Sequence, residues 1–260
     1  MFKFYTIPDL KTLENIIGEP TLKFSSAFNL NDPFELKFNL VLDPYAEGQE
    51  NEFFKAHPGG TIKDFKDWQE SVENNDGFLW YTEQVQRNYL SKLITLCSFT
   101  EINTNNLMWS HYTNNHRGIC VEYSDALFDK LKNIKEFLVF GNVEYSELPP
   151  EVDSLEDRSS KIKKMLFNKQ VEWKYEREHR VILQSDNDTD FISIEPNDIK
   201  AVYIGSKATE DITNKAMEIC QYNNFDCFYG ISLGKTYEVQ FKKHKEGTFH
   251  MRTFWSELKE

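Results

Sequence analysis

Three short stretches hold most of the side chains capable of chemistry in this 260-residue sequence. The longest runs from Met108 to Tyr123 (MWSHYTNNHRGICVEY). An imidazole donates, accepts or ligates near neutral pH, so His111, His116 and the adjacent Arg117 offer acid–base or anion-binding groups. Five residues apart across a polar turn, the two histidines do not define a metal site. The same His and Asn side chains also suit a loop that satisfies buried backbone groups. The second stretch runs from Val171 to Leu183 (VEWKYEREHRVIL). As a strand it places Glu176, Glu178 and Arg180 on one face and Tyr175, Arg177, His179 and Val181 on the other. Carboxylates about 7 Å apart on one face repel unless cations or substrate hydroxyls lie between them. One of the pair then has a raised pKa, as carboxylates used in catalysis often do. A solvated face of Glu–Arg pairs is the alternative. In the third stretch, Leu22 to Phe28 (LKFSSAF), Ser25 and Ser26 end a strand shortly before the NDPFE turn at Asn31, Asp32, Pro33, Phe34 and Glu35. Their hydroxyls suit a ribose or phosphate, or simply begin the turn.

The elements that must position these groups alternate along the chain. Phe2–Thr6 reads as a strand, and Leu10, Leu13, Ile16 and Ile17 mark a helix that Gly18 and Pro20 stop. Residues 43–92 have helical patterns at Gln49–Ala56, Ile62–Glu73 and Leu79–Leu93, read as a helical insertion in one α+β domain spanning residues 1–260. Strands follow at Leu93–Phe99 and Gly118–Tyr123, with a helix over Asn105–Tyr112 between them. Ser124 caps a helix over Asp125–Lys132. Phe137–Tyr145 is a strand and Asp153–Asn168 an amphipathic helix. Short strands at Glu178–Gln184, Phe191–Ile194, Ala201–Ile204, Asp226–Ile231 and Thr236–Phe241 surround one late helix, Thr209–Tyr222. Strands outnumber the helices between them late in the chain, which argues against a doubly wound sheet. The expected class is α+β, a mixed and mostly antiparallel central sheet with flanking helices.

Composition narrows the field. The net charge of −12 gives no overall steering toward nucleic acid or anionic lipid. Residues 161–180 depart from it: seven basic side chains against three acidic ones leave a local +4, which attracts phosphate or pairs with the acidic insertion. Cys97, Cys120, Cys220 and Cys227 form no metal-finger spacing. The N-terminal segment turns polar too quickly for a signal peptide, and no run of 18 apolar residues occurs. A cytoplasmic protein with reduced thiols, no bound metal and no membrane partner is expected. Phosphate-loop, dinucleotide-fingerprint, zincin and nucleophile-elbow patterns are all missing.

Taken together, the Phe24-Ser25-Ser26 element, the NDPFE turn, Cys97-Ser98-Phe99-Thr100, the 108–123 stretch and the Trp173-to-Arg180 pattern (WxYExExR) resemble a bacterial family of uncharacterised domains. More distantly, the layout is similar to ADP-ribosyltransferases, which carry an aromatic–Ser element on one strand and a Glu-x-Glu pair on a later one. That resemblance implies that Glu178 engages a ribose hydroxyl of NAD and stabilises an oxocarbenium-like state, while Glu176 orients or deprotonates the acceptor. It puts Tyr5 or Lys3 where those enzymes grip the nucleotide. It has Tyr112 or Trp109 offer an aromatic face, His111, His116 and Arg117 reach the pyrophosphate, and Asn31, Asp32 and Arg180 line the site. Ser98 and Thr100 compete with Ser25 and Ser26 for the hydroxyl-bearing role.

The expected function is therefore an NAD-dependent ADP-ribosyltransferase-like enzyme. It is a toxin-like or phage-defence effector that modifies protein or nucleic acid, held in check by an antitoxin-like protein. Two alternatives stay open. One is an RNA nuclease built on His111, His116, Glu176 and Glu178. The other is a non-catalytic module that binds a nucleotide or a partner.

Overall fold

Alternation of apolar and polar residues along short segments is realised as an α+β fold of mixed, mostly antiparallel sheet flanked by helices. A computed structural model describes residues 1–75, 77–231 and 237–244. By its internal contacts the chain divides into two units, one formed by residues 1–22, 100–129 and 193–260, the other by 23–99 and 130–192.

In the first unit, Phe2–Tyr5 lies antiparallel to Ile119–Tyr123, with Phe2 opposite Glu122 and Tyr5 opposite Ile119. Ile119–Tyr123 pairs on its other edge with Ile199–Ile204, also antiparallel. Ile199–Ile204 and Asp226–Ile231 run parallel, and such a pair needs a long crossover. The helix Glu210–Asn223 supplies it. Thr209 caps its start by accepting the Ile212 N–H, and Asn224 ends it in the left-handed conformation at φ 60°. Ile212, Ala216 and Ile219 bury its inner face. The strand expected at Thr236–Phe241 is observed as Gln240–Lys243, and residue 236 lies outside the described residues.

One close approach fixes the joint between the Phe2–Tyr5 strand and the turn before Ile119. A β-carbon added at Gly118 would sit 2.0 Å from the Tyr5 carbonyl oxygen, far inside contact distance. Gly118→Ala is expected to cost about 1–3 kcal/mol as the backbone is forced apart. Gly59→Ala, whose added carbon meets nothing within 4 Å, should stay within about 0.5 kcal/mol of the native chain. Thermal unfolding of the two variants side by side measures the difference.

In the second unit, Ser25 pairs antiparallel with Leu96 of the strand that begins at Ile94, and that strand also pairs with Glu178–Gln184. Glu178–Gln184 runs antiparallel to Phe137–Asn142, with Arg180 opposite Gly141. Ala27, Leu36, Ile94, Leu96, Leu166 and Ile182 close the core over this sheet. Helices Gln49–Ala56, Ile62–Asn74 and Phe78–Ser91 fall where helical spacing predicts them. Thr61 opens the second with a reciprocal capping box to Asp64. Phe53 gathers Phe65 and Trp68 at ring distances of 5.4 and 5.6 Å. Two small parallel sheets complete the unit, Asn39–Val41 with Glu151–Asp153 and Glu144–Ser146 with Asn168–Gln170.

The helix expected over Asp153–Asn168 is shorter, Arg158–Leu166. Asp157 is its cap, accepting the N–H groups of Ser159 and Ser160 at 2.9 and 3.1 Å. The flanking residues are drawn instead into the two small sheets. Asp, preferred at the cap position, sets the true start.

Candidate functional site: a buried carboxylate–cation network

The second unit buries five charged side chains against one another. Lys169 stands in the short Asn168–Gln170 strand opposite Tyr145, and only 6% of it is exposed. Its Nζ lies 2.7 Å from Glu176 Oε2, 3.3 Å from Glu178 Oε2 and 3.5 Å from Glu35 Oε1. Arg180, wholly buried, donates from Nε to Glu178 Oε1 at 2.8 Å and from Nη2 to Glu35 Oε1 at 2.8 Å and Glu178 Oε2 at 3.0 Å. Its Nη1 donates to the Leu166 carbonyl at 2.9 Å. Ser98 donates its hydroxyl to Glu178 Oε1 at 2.6 Å, and Tyr145 Oη accepts the Glu178 N–H at 2.8 Å. The Lys169 ammonium also stands over the Trp173 ring, 4.8 Å from its centroid.

Desolvating each ion costs several kcal/mol, so such a cluster persists only when its members answer one another. Here they nearly do. Among the described residues, three carboxylates face two cations, and Glu35 Oε2 is buried with no hydrogen-bond partner. An orphaned oxygen in a cluster with one carboxylate in excess is the kind of defect that functional sites carry.

Burial by itself would raise the Glu178 pKa. The charges of Arg180 and Lys169, with hydrogen bonds from Arg180 and Ser98, more than reverse this and hold it at about 2. Glu178 is thus not a carboxylate with a raised pKa, because cations sit between the acids. Burial would lower the Lys169 pKa, yet Glu178, Glu176 and Glu35 drive it above its ordinary value. Tyr145 is pushed up to about 12, chiefly by burial.

The route by which the two acids meet differs from simple alternation. Val171–Glu176 is a 3-10 turn, and Arg177 takes a left-handed conformation at φ 44°, so the strand begins only at Glu178. Glu176 therefore does not share a strand face with Glu178. The preceding residues are committed to the Asn168–Gln170 strand, and the chain must turn before entering the larger sheet. Both carboxylates still converge on Lys169, and both are buried rather than solvated.

Of the competing hydroxyls, Ser98 is the one that meets Glu178. Ser26 Oγ donates to the Ser91 carbonyl at 2.8 Å and accepts the Phe28 N–H, which makes it a local cap. Ser25 is half-buried at its strand end, opposite Leu96. Asp32 is buried and accepts the Phe34 N–H at 2.8 Å, while Asn31 is exposed. Glu35 ends the NDPFE turn that sequence reasoning put at the working surface without giving it a role, and Lys169 is a member that reasoning did not place in the site. The signal for Lys169 was present, because two neighbouring carboxylates call for a cation between them.

Two adjoining depressions mark the surface of this unit. One, of about 160 Å³, is lined by Lys169, Asn168, Ser146, Lys37 and Phe34. The other, of about 250 Å³, shares Phe34 and Lys37 and adds Trp80, Glu83, Gln84 and Arg87.

The remaining predicted residues fall in the first unit. Trp109 is wholly buried, donates Nε1–H to the Asn103 carbonyl at 2.6 Å, and meets Phe4 edge-on and His116 face-on. His116 follows Asn114 and Asn115 in a run of three left-handed residues at φ 50, 57 and 66°. Its Nδ1 is buried without a hydrogen-bond partner among the described residues, and burial, aided by the Lys207 charge, lowers its pKa. Arg117 and His111 are exposed and Tyr112 is half-buried. Tyr5 Oη lies 2.6 Å from Tyr123 Oη, and Lys3 Nζ stands over the Tyr5 ring at 5.6 Å.

Among the described residues, no group of three or more His, Cys, Asp or Glu side chains is arranged to hold a metal ion, and no helix is long and apolar enough to cross a membrane. No curated protein and no solved structure matches the chain. Residues 108–181, which take in both the histidine-bearing stretch and the segment from Lys169 to Arg180, match the model of a family described as protein of unknown function (DUF2971).

Proposed function

We propose that this chain is an NAD-consuming enzyme of the ADP-ribosyltransferase type, a toxin-like or phage-defence effector, with its chemistry at the Glu35–Glu176–Glu178 network. The observation that carries this reading is the open Oε2 of Glu35 in a desolvated cluster with more carboxylates than cations. Departure of neutral nicotinamide leaves positive charge on the ribose ring. A fixed, water-poor site with an excess negative charge stabilises that charge as it develops. Both Glu178 oxygens are already engaged by Arg180, Lys169 and Ser98. Glu178 therefore sets the field, and Glu35 Oε2 is left to accept a ribose hydroxyl or the acceptor's proton. Lys169 links the network to the first depression, whose Asn168 and Ser146 side chains are suited to the hydroxyls of a sugar.

Chromatographic measurement of nicotinamide released from NAD tests the proposal. The native chain should release it, and Glu35→Gln, which keeps shape and removes the charge, should lower the rate by about 100-fold or more. Absence of release from the folded native chain would sink the reading.

A further inference from the structure

The second depression has a charge opposite to that of the network. Arg87 donates Nε–H to the Glu35 carbonyl at 2.7 Å and a second bond to the Pro33 carbonyl. These bonds seat residues 33–35 against the Phe78–Ser91 helix without neutralising the guanidinium. Lys37 Nζ stands 5.0 Å from the Phe34 ring centroid. Neither cation has a carboxylate partner among the described residues. The one carboxylate in the lining, Glu83, uses Oε1 to accept the Leu40 N–H at 2.7 Å. Two cations thus face one committed acid, in a chain whose net charge is −12. Phe34 and Trp80 line the same depression and are 54% and 63% exposed, so each presents ring surface to a ligand.

We infer that this depression binds the phosphate-bearing part of a nucleotide, with the base against Trp80 and Phe34 and the phosphate on Lys37 and Arg87. Ring-on-base stacking combined with cations along a phosphate is the chemistry by which proteins hold nucleotides without reading their sequence. Because Phe34 and Lys37 also line the depression at Lys169, a ligand anchored here extends its sugar toward the carboxylates. Only that direction rests on the proposed function; the aromatic–cation site stands independently of it.

Isothermal titration with ADP, which has no nicotinamide to release, tests the site alone. Inorganic phosphate and adenosine serve as separate arms. ADP should bind more tightly than either, and Trp80→Ala and Lys37→Ala, both at exposed positions, should each weaken it about tenfold. ADP binding no tighter than adenosine would remove the cation subsite. Binding no tighter than phosphate would remove the aromatic platform, and affinity unchanged in both variants, or no binding, would overturn the whole inference. Nicotinamide release measured in parallel separates the two ideas. Release without ADP binding defeats this site only, and ADP binding without release defeats the enzymatic reading only.

Discussion

Arg180→Met should destabilise the folded chain by about 3–5 kcal/mol in urea unfolding, the range seen when one partner of a buried ion pair is deleted. Methionine replaces most of the aliphatic stem, so the loss is electrostatic rather than a cavity. It falls on Glu178 and Glu35, which lose the guanidinium that bonds both of them, and on the Leu166 carbonyl, which loses its donor. Adding Glu178→Gln to the same chain should recover part of the loss, because the uncompensated carboxylate is then neutral. That non-additivity is the signature of two residues acting in one network. A single-variant cost below about 1 kcal/mol would place the guanidinium in a far better solvated setting than the one described.

Acid should erode the same network. The Glu178 pKa is about 2 in the folded chain against an ordinary 4.5, so folding favours the ionised form. Its contribution is fully present above pH 4.5 and is lost as pH falls through that value toward 2. At 1.36 kcal/mol per pKa unit, the contribution is about 3 kcal/mol. Urea unfolding of the native chain and of Glu178→Gln at several pH values from 6 down to about 2.5 isolates it. The gap between the two should narrow steadily below pH 4.5, and a gap independent of pH would show that Arg180 and Lys169 do not hold this carboxylate ionised.

Much of the architecture was legible because apolar spacing and caps are local signals. The Glu210–Asn223 helix sits within a residue of its expected bounds, fixed by Thr209 at its start and by the left-handed Asn224 at its end. The helices between residues 49 and 91 follow for the same reason. The stretch from Trp173 to Arg180 was harder. Its alternating acids suit a strand, but residues 168–170 pair with residues 144–146, and that long-range commitment forces a 3-10 turn and the left-handed Arg177. Lys169 stands in a run of basic residues whose local +4 reads as a binding place for phosphate or for the acidic insertion, not as the centre of a carboxylate cluster. Its burial depends on Glu35, more than a hundred positions earlier, and no local pattern reports such a meeting. Ser98 is one of four candidate hydroxyls in two separate segments, and only sheet pairing brings it to Glu178.

The Glu35–Arg180 pair joins residues separated by 145 positions, and this separation has a consequence during synthesis. A polypeptide growing from its N-terminus presents Glu35 and Ser98 long before Lys169 and Arg180 exist. Closing so wide a loop comes late and slowly compared with forming local helices. A ribosome-bound chain that ends before residue 180 therefore contains no assembled carboxylate cluster. Until most of the polypeptide has been made, the growing chain lacks the network on which the proposed chemistry depends.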